Sequence, residues 1–276
     1  MMKCKRPVIC VLMIYIICFA ARIFEYFVMR TDQTFWGEAF IHKLFGIAVM
    51  ILTVRMLSMR MSDIGFGRKG ALRETLAGLA FGLAVFAVAY GVEILTTVLQ
   101  GNFQGLQFYV SAYAVDRNVG NQTAFIFFLI CIAGNIINVV MEEGIFRGLF
   151  QKMLQWKYPF MSAAIMTSVL FALWHTMGPV RNYTDGTSSM NGMIMNCLML
   201  AITSGLVGFK FALMNRMTGS LYMEMGDHFV NNAIVNLLHV VSDSGADELM
   251  FVRITVAQSL SFIIVLIWYL RSFPKA

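Results

Sequence analysis

Charge is scarce in this chain. Only 13% of its 276 residues are Asp, Glu, Lys or Arg, about half of the roughly 25% usual in a soluble domain. Hydrophobic residues make up 59% and the mean hydropathy is +0.72, more apolar surface than one soluble core can bury, so lipid is the expected solvent. The five cysteines (Cys4, Cys10, Cys18, Cys131, Cys197) are scattered without a C-x-x-C pair, so neither a disulfide framework nor a zinc knuckle is indicated. The 22 methionines form no cluster with ligand spacing. There is no internal repeat and no low-complexity tract. The net charge of +6 is not gathered into a basic stripe, so nucleic acid is not an expected partner.

Apolar runs of about 20 residues are long enough to span a bilayer. They fall near 7–29, 37–57, 74–98, 124–150, 159–177, 190–214, 219–240 and 251–271, which predicts an all-α polytopic membrane protein of about eight helices. The first run follows Lys3, Lys5 and Arg6 and continues through Phe24 and Phe27 without a small-x-small cleavage site, as an uncleaved anchor would. With eight spans, one side collects fifteen of the 21 Lys and Arg residues, and Arg22, Arg30, Lys43, Arg117, Arg181 and Arg253 are left for the other. By the positive-inside rule both termini are expected in the cytoplasm, and a bacterial plasma membrane is the expected location. The linkers are a basic loop at 58–73, a longer external segment at 99–123 and a turn-rich external loop at 178–189.

Ionisable residues within a bilayer are costly and commonly functional. They are expected in the fourth, fifth and seventh spans. In the fourth, Glu143 and Arg147 are four apart and share a helix face, whereas Glu142 points about 100° away, on a stripe with Asn138 and Asn135. This spacing assigns Glu143–Arg147 to structure and leaves Glu142 for chemistry; a surface ion-pair cluster would share the spacing. His175 stands alone in the fifth span. Glu142 and His175 lie 16 and 17 residues either side of Tyr158, so antiparallel helices joined there would bring them level. In the seventh, Glu224, His228, Asn232 and Asn236 recur every fourth residue. That stripe suits an active site, and equally a polar helix–helix seam.

The ordered motifs E-E-x-x-x-R (Glu142, Glu143, Arg147), F-x-x-x-H (Phe171, His175) and H-x-x-x-N (His228, Asn232) resemble the CPBP family, which includes the type II CAAX prenyl endopeptidases and the Abi proteins. The resemblance covers roughly 70–270 and suggests a division into N-terminal helices (1–73) and a peptidase core (74–276). It implies an intramembrane endopeptidase with its site between helices four, five and seven, acting on a peptide or membrane-protein substrate. Glu142 and His175 would activate water, His228 and Asn232 would stabilise the oxyanion, and Glu143, Arg147 and Asn138 would support them. Spacing alone suggests that Glu224 orients His228. The family is often labelled metalloprotease, so Glu142, His175 and His228 are the candidate ligands of a divalent metal such as zinc. H-E-x-x-H is absent and a glutamate-driven water needs no metal, which favours a site without an obligatory one. A non-catalytic immunity or scaffold protein of the same fold is the alternative. A transporter is disfavoured by the lack of paired broken helices.

Overall fold

The computed structural model describes residues 4–67, 69–111 and 121–273. Lys3, Arg68, Arg117 and Lys275 of the charge tally, and the middle of the segment at 99–123, lie outside the described residues. Among the described residues ten α-helices follow one another: α1 (Pro7–Phe24), α2 (Ile41–Met56), α3 (Ala71–Leu99), α4 (Phe125–Glu143), α5 (Gln151–Leu154), α6 (Phe160–Trp174), α7 (Met177–Thr184), α8 (Met190–Thr218), α9 (Tyr222–Leu237) and α10 (Met250–Ser272). Two π-helical stretches join them, Glu25–Met29 after α1 and Gly144–Phe150 between α4 and α5. Among the described residues six helical segments are long and apolar enough to cross a membrane: 7–33, 71–99, 125–154, 160–184, 190–218 and 250–272. The chain is therefore an all-α polytopic membrane protein. Helices α2 and α9, 16 residues each, complete the eight-helix bundle. At 1.5 Å per residue they are shorter than a bilayer's hydrocarbon core, about 30 Å thick.

Polar content decides which faces turn inward. Large apolar side chains such as Ile16, Leu95 and Ile202 are exposed on the outside of the bundle, as lipid-facing residues should be. Phe146, Phe150 and Trp174 form one core with Val11 and Tyr15 of α1 and Met50 of α2. A second core joins α3, α9 and α10 through Val85, Phe86, Val230 and Ala257.

Helices α3 and α9 approach closely, and glycine permits it. A methyl group on Gly78 would overlap the Met223 carbonyl oxygen, and one on Gly226 would lie 2.5 Å from the Thr75 carbonyl oxygen. This is small-residue packing of the kind that lets membrane helices associate. It fixes α9, and with it His228.

Two expectations are corrected. The run at 219–240 does not stay helical to its end, because Leu238 is extended (φ −116°, ψ 119°) and begins a strand. Strand β2 (Leu238–Ser242) pairs antiparallel with β1 (Phe103–Phe108) and β3 (Gly245–Ala246), with Leu106 opposite Val240. An apolar run such as Leu-Leu-His-Val-Val does not reveal its period, and its partner β1 lies 130 or more residues upstream. Cys4 and Cys10 are disulfide-bonded, joining the segment before Pro7 to the first turn of α1, although the scattered cysteines pointed to no such bond.

Candidate active site

The site is built where α4 gives way to the π-helical stretch Gly144–Phe150. Such wide turns are rare and favour functional positions. Glu142 and Glu143 end α4, are buried and diverge. Glu142 Oε1 accepts a hydrogen bond from Trp174 Nε1 at 3.1 Å. Its Oε2 lies 3.6 Å from His228 Nε2 and has no hydrogen-bond partner among the described residues. Trp174 is the last residue of α6, so the end of that helix does stand level with Glu142.

Glu143 meets two partners. Its Oε1 accepts from His228 Nδ1 at 2.7 Å and from Arg147 Nη1 at 3.3 Å. The Glu143–Arg147 pair expected from spacing is present, and the same carboxylate also holds the histidine. Arg147 further donates from Nε to the Gly208 carbonyl at 3.3 Å and lies over the Phe171 ring at 3.9 Å. A side chain on Gly208 would approach Arg147 Nη2 to 2.5 Å.

The two histidines have defined ring faces. His175 caps α6 and its Nδ1 lies 2.8 Å from the Phe171 carbonyl. A carbonyl only accepts, so Nδ1 carries the hydrogen and Nε2 of the neutral ring presents a lone pair. His175 is within electrostatic reach of both Glu142 and His228. His228 stacks on Phe211 with ring centroids 5.1 Å apart and turns Nδ1 to Glu143, leaving Nε2 towards Glu142.

The remaining expected residues are placed less centrally. Asn232 follows one turn after His228; its Oδ1 accepts from Asn231 Nδ2 at 3.1 Å, which fixes the orientation of its own amide donors. Asn138 is buried on α4 one turn before Glu142. Glu224 does not hold His228: its Oε1 accepts from Asn215 Nδ2 at 3.0 Å, and Glu143 takes the histidine instead. Four residues along a helix brought Glu224 to the same face, but the neighbouring helix supplied a nearer carboxylate. Among the described residues no three His, Cys, Asp or Glu side chains are close enough together to hold a metal ion.

Several contributors escaped the sequence reading. Trp174 sat beside His175 without any charge to mark it. Arg22 of α1 lies over Trp174 at 4.7 Å and donates to Tyr26 at 3.0 Å. Arg22 and Lys43 are within electrostatic reach of Glu142. Glu25 accepts from the backbone N–H of His42 at 2.6 Å and of Ile41 at 2.9 Å, capping α2, and from the His42 ring at 2.6 Å. Ionisable residues are thus not confined to the fourth, fifth and seventh spans. Glu93 pairs with Arg253 at 3.1 Å and Lys210 with Asp227 at 2.7 Å. These basic residues are buried partners as well as candidate signals of orientation.

Residues 123–234, which contain every one of the motifs, match the family described as Type II CAAX prenyl endopeptidase Rce1-like. This segment is similar to that family. It runs from the start of α4 into α9 and encloses Glu142, Glu143, Arg147, Trp174, His175, His228 and Asn232. No curated protein matches the chain. An Rce1-like segment in a bundle of apolar helices supports a membrane-embedded protease.

Proposed function

We infer that the protein is an intramembrane endopeptidase that hydrolyses a peptide bond of a membrane-associated substrate through water activated by Glu142 and His175. The observation that carries this reading is the Glu142 carboxylate, buried and fixed by Trp174 on one oxygen while the other faces His228 without a hydrogen-bond partner among the described residues. A carboxylate pinned on one side is oriented to take a proton on the other.

Water loses a proton to Glu142, and the His175 Nε2 lone pair is the second acceptor in this scheme. The hydroxide adds to the scissile carbonyl carbon. The resulting oxyanion takes hydrogen bonds from Asn232 and from His228 Nε2. Donation from Nε2 while Nδ1 faces the Glu143 carboxylate requires hydrogen on both ring nitrogens. The proton held by Glu142 then passes to the amide nitrogen as the C–N bond breaks. Every step uses water and this chain's own side chains. The charge segregation supports cytoplasmic termini, and the apolar runs with the N-terminal basic anchor suit a bacterial plasma membrane.

Cleavage of membrane-tethered peptides, with and without a prenyl group, by purified protein in detergent tests this reading. Glu142→Ala is expected to lose at least a hundredfold in turnover while melting within a few degrees of the wild type. Turnover retained by that variant would sink the proposal. Activity that survives a strong chelator supports the metal-free route, and loss with recovery on zinc addition overturns it. A wild type that cuts none of the peptides favours the non-catalytic alternative.

A further inference from the structure

Glu143, Arg147, Gln151 and Gln155 recur every fourth residue from the active site to the end of α5. Across from them stand His228 and Glu224 of α9 and Asn215 of α8. Glu143 and Glu224 are fully buried, and Arg147 and Gln151 are 2% exposed. Five of their polar atoms have no hydrogen-bond partner among the described residues: Glu143 Oε2, Glu224 Oε2, Arg147 Nη2, and both Nε2 and Oε1 of Gln151. A buried amide or hydroxyl without a partner costs a few kcal/mol, and such groups in native proteins are commonly satisfied by ordered water. These five atoms belong to neighbouring residues of one seam.

The seam has an open end. Arg147 and Gln151 border a polar cavity of about 340 Å³, walled further by Asp63, Lys152, Gln155 and Asn215. Gln155, at its rim, is exposed, whereas Leu149 and Phe150 on the other face of the same helix are fully buried among apolar groups. The cavity has room for several waters at roughly 30 Å³ each.

We propose that this seam is a water conduit, leading from the cavity beside Gln155 past Gln151 and Arg147 to the Glu143–His228 pair. It rests on the hydrolase reading for its purpose, since a hydrolytic site inside lipid consumes one water per turnover. It does not rest on that reading for its existence. Gln151 lines the cavity and offers both its amide donor and its carbonyl acceptor to water. Arg147, besides pairing with Glu143, offers Nη2 to the same file.

Single cysteines introduced at Gln151, Gln155 and Leu149, in a chain whose free cysteines are changed to Ala, test the conduit with a small charged methanethiosulfonate in detergent. Gln151→Cys is expected to react within about tenfold of the rim control Gln155→Cys, and at least a hundredfold faster than Leu149→Cys. Reaction as slow as at Leu149→Cys overturns the conduit. Should Gln151→Cys fail to fold, the unsubstituted protein labelled with ¹⁵N-glutamine gives the same answer. Magnetisation transfer from water to the Gln151 side-chain amide supports the conduit, and its absence overturns it. Gln151→Leu keeps the side chain's size and removes both polar atoms, so kcat is expected to fall about tenfold with KM unchanged. A wild-type kcat in this variant overturns the supply role. Fast labelling of Gln151→Cys in a protein that cuts no peptide retains the conduit and removes the peptidase reading, so the two fail separately.

Discussion

Trp174 holds Glu142 by one hydrogen bond, and replacing it with Phe removes that bond while leaving an aromatic ring against Phe146 and Tyr15. A hydrogen bond to a charged acceptor contributes about 1.5–3 kcal/mol. Trp174→Phe is therefore expected to lower kcat about tenfold and to move the melting temperature little, as steady-state kinetics and thermal unfolding would show. Arg147→Ala should act the other way round. It leaves Glu143 buried without its cation, a change that costs about 3–5 kcal/mol when a buried pair is broken. Melting should fall first, and a variant as stable as the wild type would contradict the pair's structural role. The difference between these residues also marks what a single sequence exposes. Glu143 and Arg147 are local, four apart on one helix, and their pairing followed from spacing. The bond from Trp174 to Glu142 spans 32 positions and that from His228 to Glu143 spans 85. Helical periodicity says which residues share a face, never which face of another helix they meet.

At the scale of elements, the small sheet at one end of the bundle is tied to α10 through Asp247. This residue has left-handed backbone geometry (φ 61°) and accepts from His239 Nδ1 at 2.5 Å and from Arg253 Nη2 at 2.9 Å. Burial alone would raise its carboxyl, but the hydrogen bond from His239 and the charge and hydrogen bond of Arg253 outweigh burial and hold it below the usual aspartate value. A depressed carboxyl adds stability that is present above the unfolded pKa, about 3.9, and lost as pH falls through the folded value. Wild type should melt higher than Asp247→Asn at pH 6, and the gap should shrink as pH is lowered below about 3.9. A gap that stays constant from pH 6 to pH 2 would show that Asp247 does not act through its charge. None of this was readable in advance, because β2 hides inside an apolar run and its partners β1 and Asp247 lie outside any helical period. The helices themselves were legible: their length and apolarity come from each segment alone, whereas a strand needs its neighbour.

For the whole molecule, the question is what binds the first two helices to the Rce1-like segment. Apolar contacts are a weak answer inside a bilayer, since lipid solvates Val11 or Met50 about as well as Phe146 does, leaving packing and polar contacts to drive helix association. Lipid offers no substitute for polar partners. Arg22 reaches His42 and Tyr26 and covers Trp174, and Glu25 takes the first N–H groups of α2. Arg181 of α7 reaches back to Asp32 at 2.9 Å, and Arg30 to Asp185 at 2.7 Å. These contacts cross from the N-terminal helices to the α6–α7 end, where Trp174 holds Glu142. A chain split between Gly70 and Ala71 is therefore expected to be inactive as separate halves and to regain cleavage when both are made together. Arg22→Ala in the N-terminal half should cut that recovery at least tenfold, whereas Val11→Ala should leave most of it. Co-purification of the tagged halves measures association apart from activity. Equal recovery with the two variants would mean that packing rather than polar contact joins the halves.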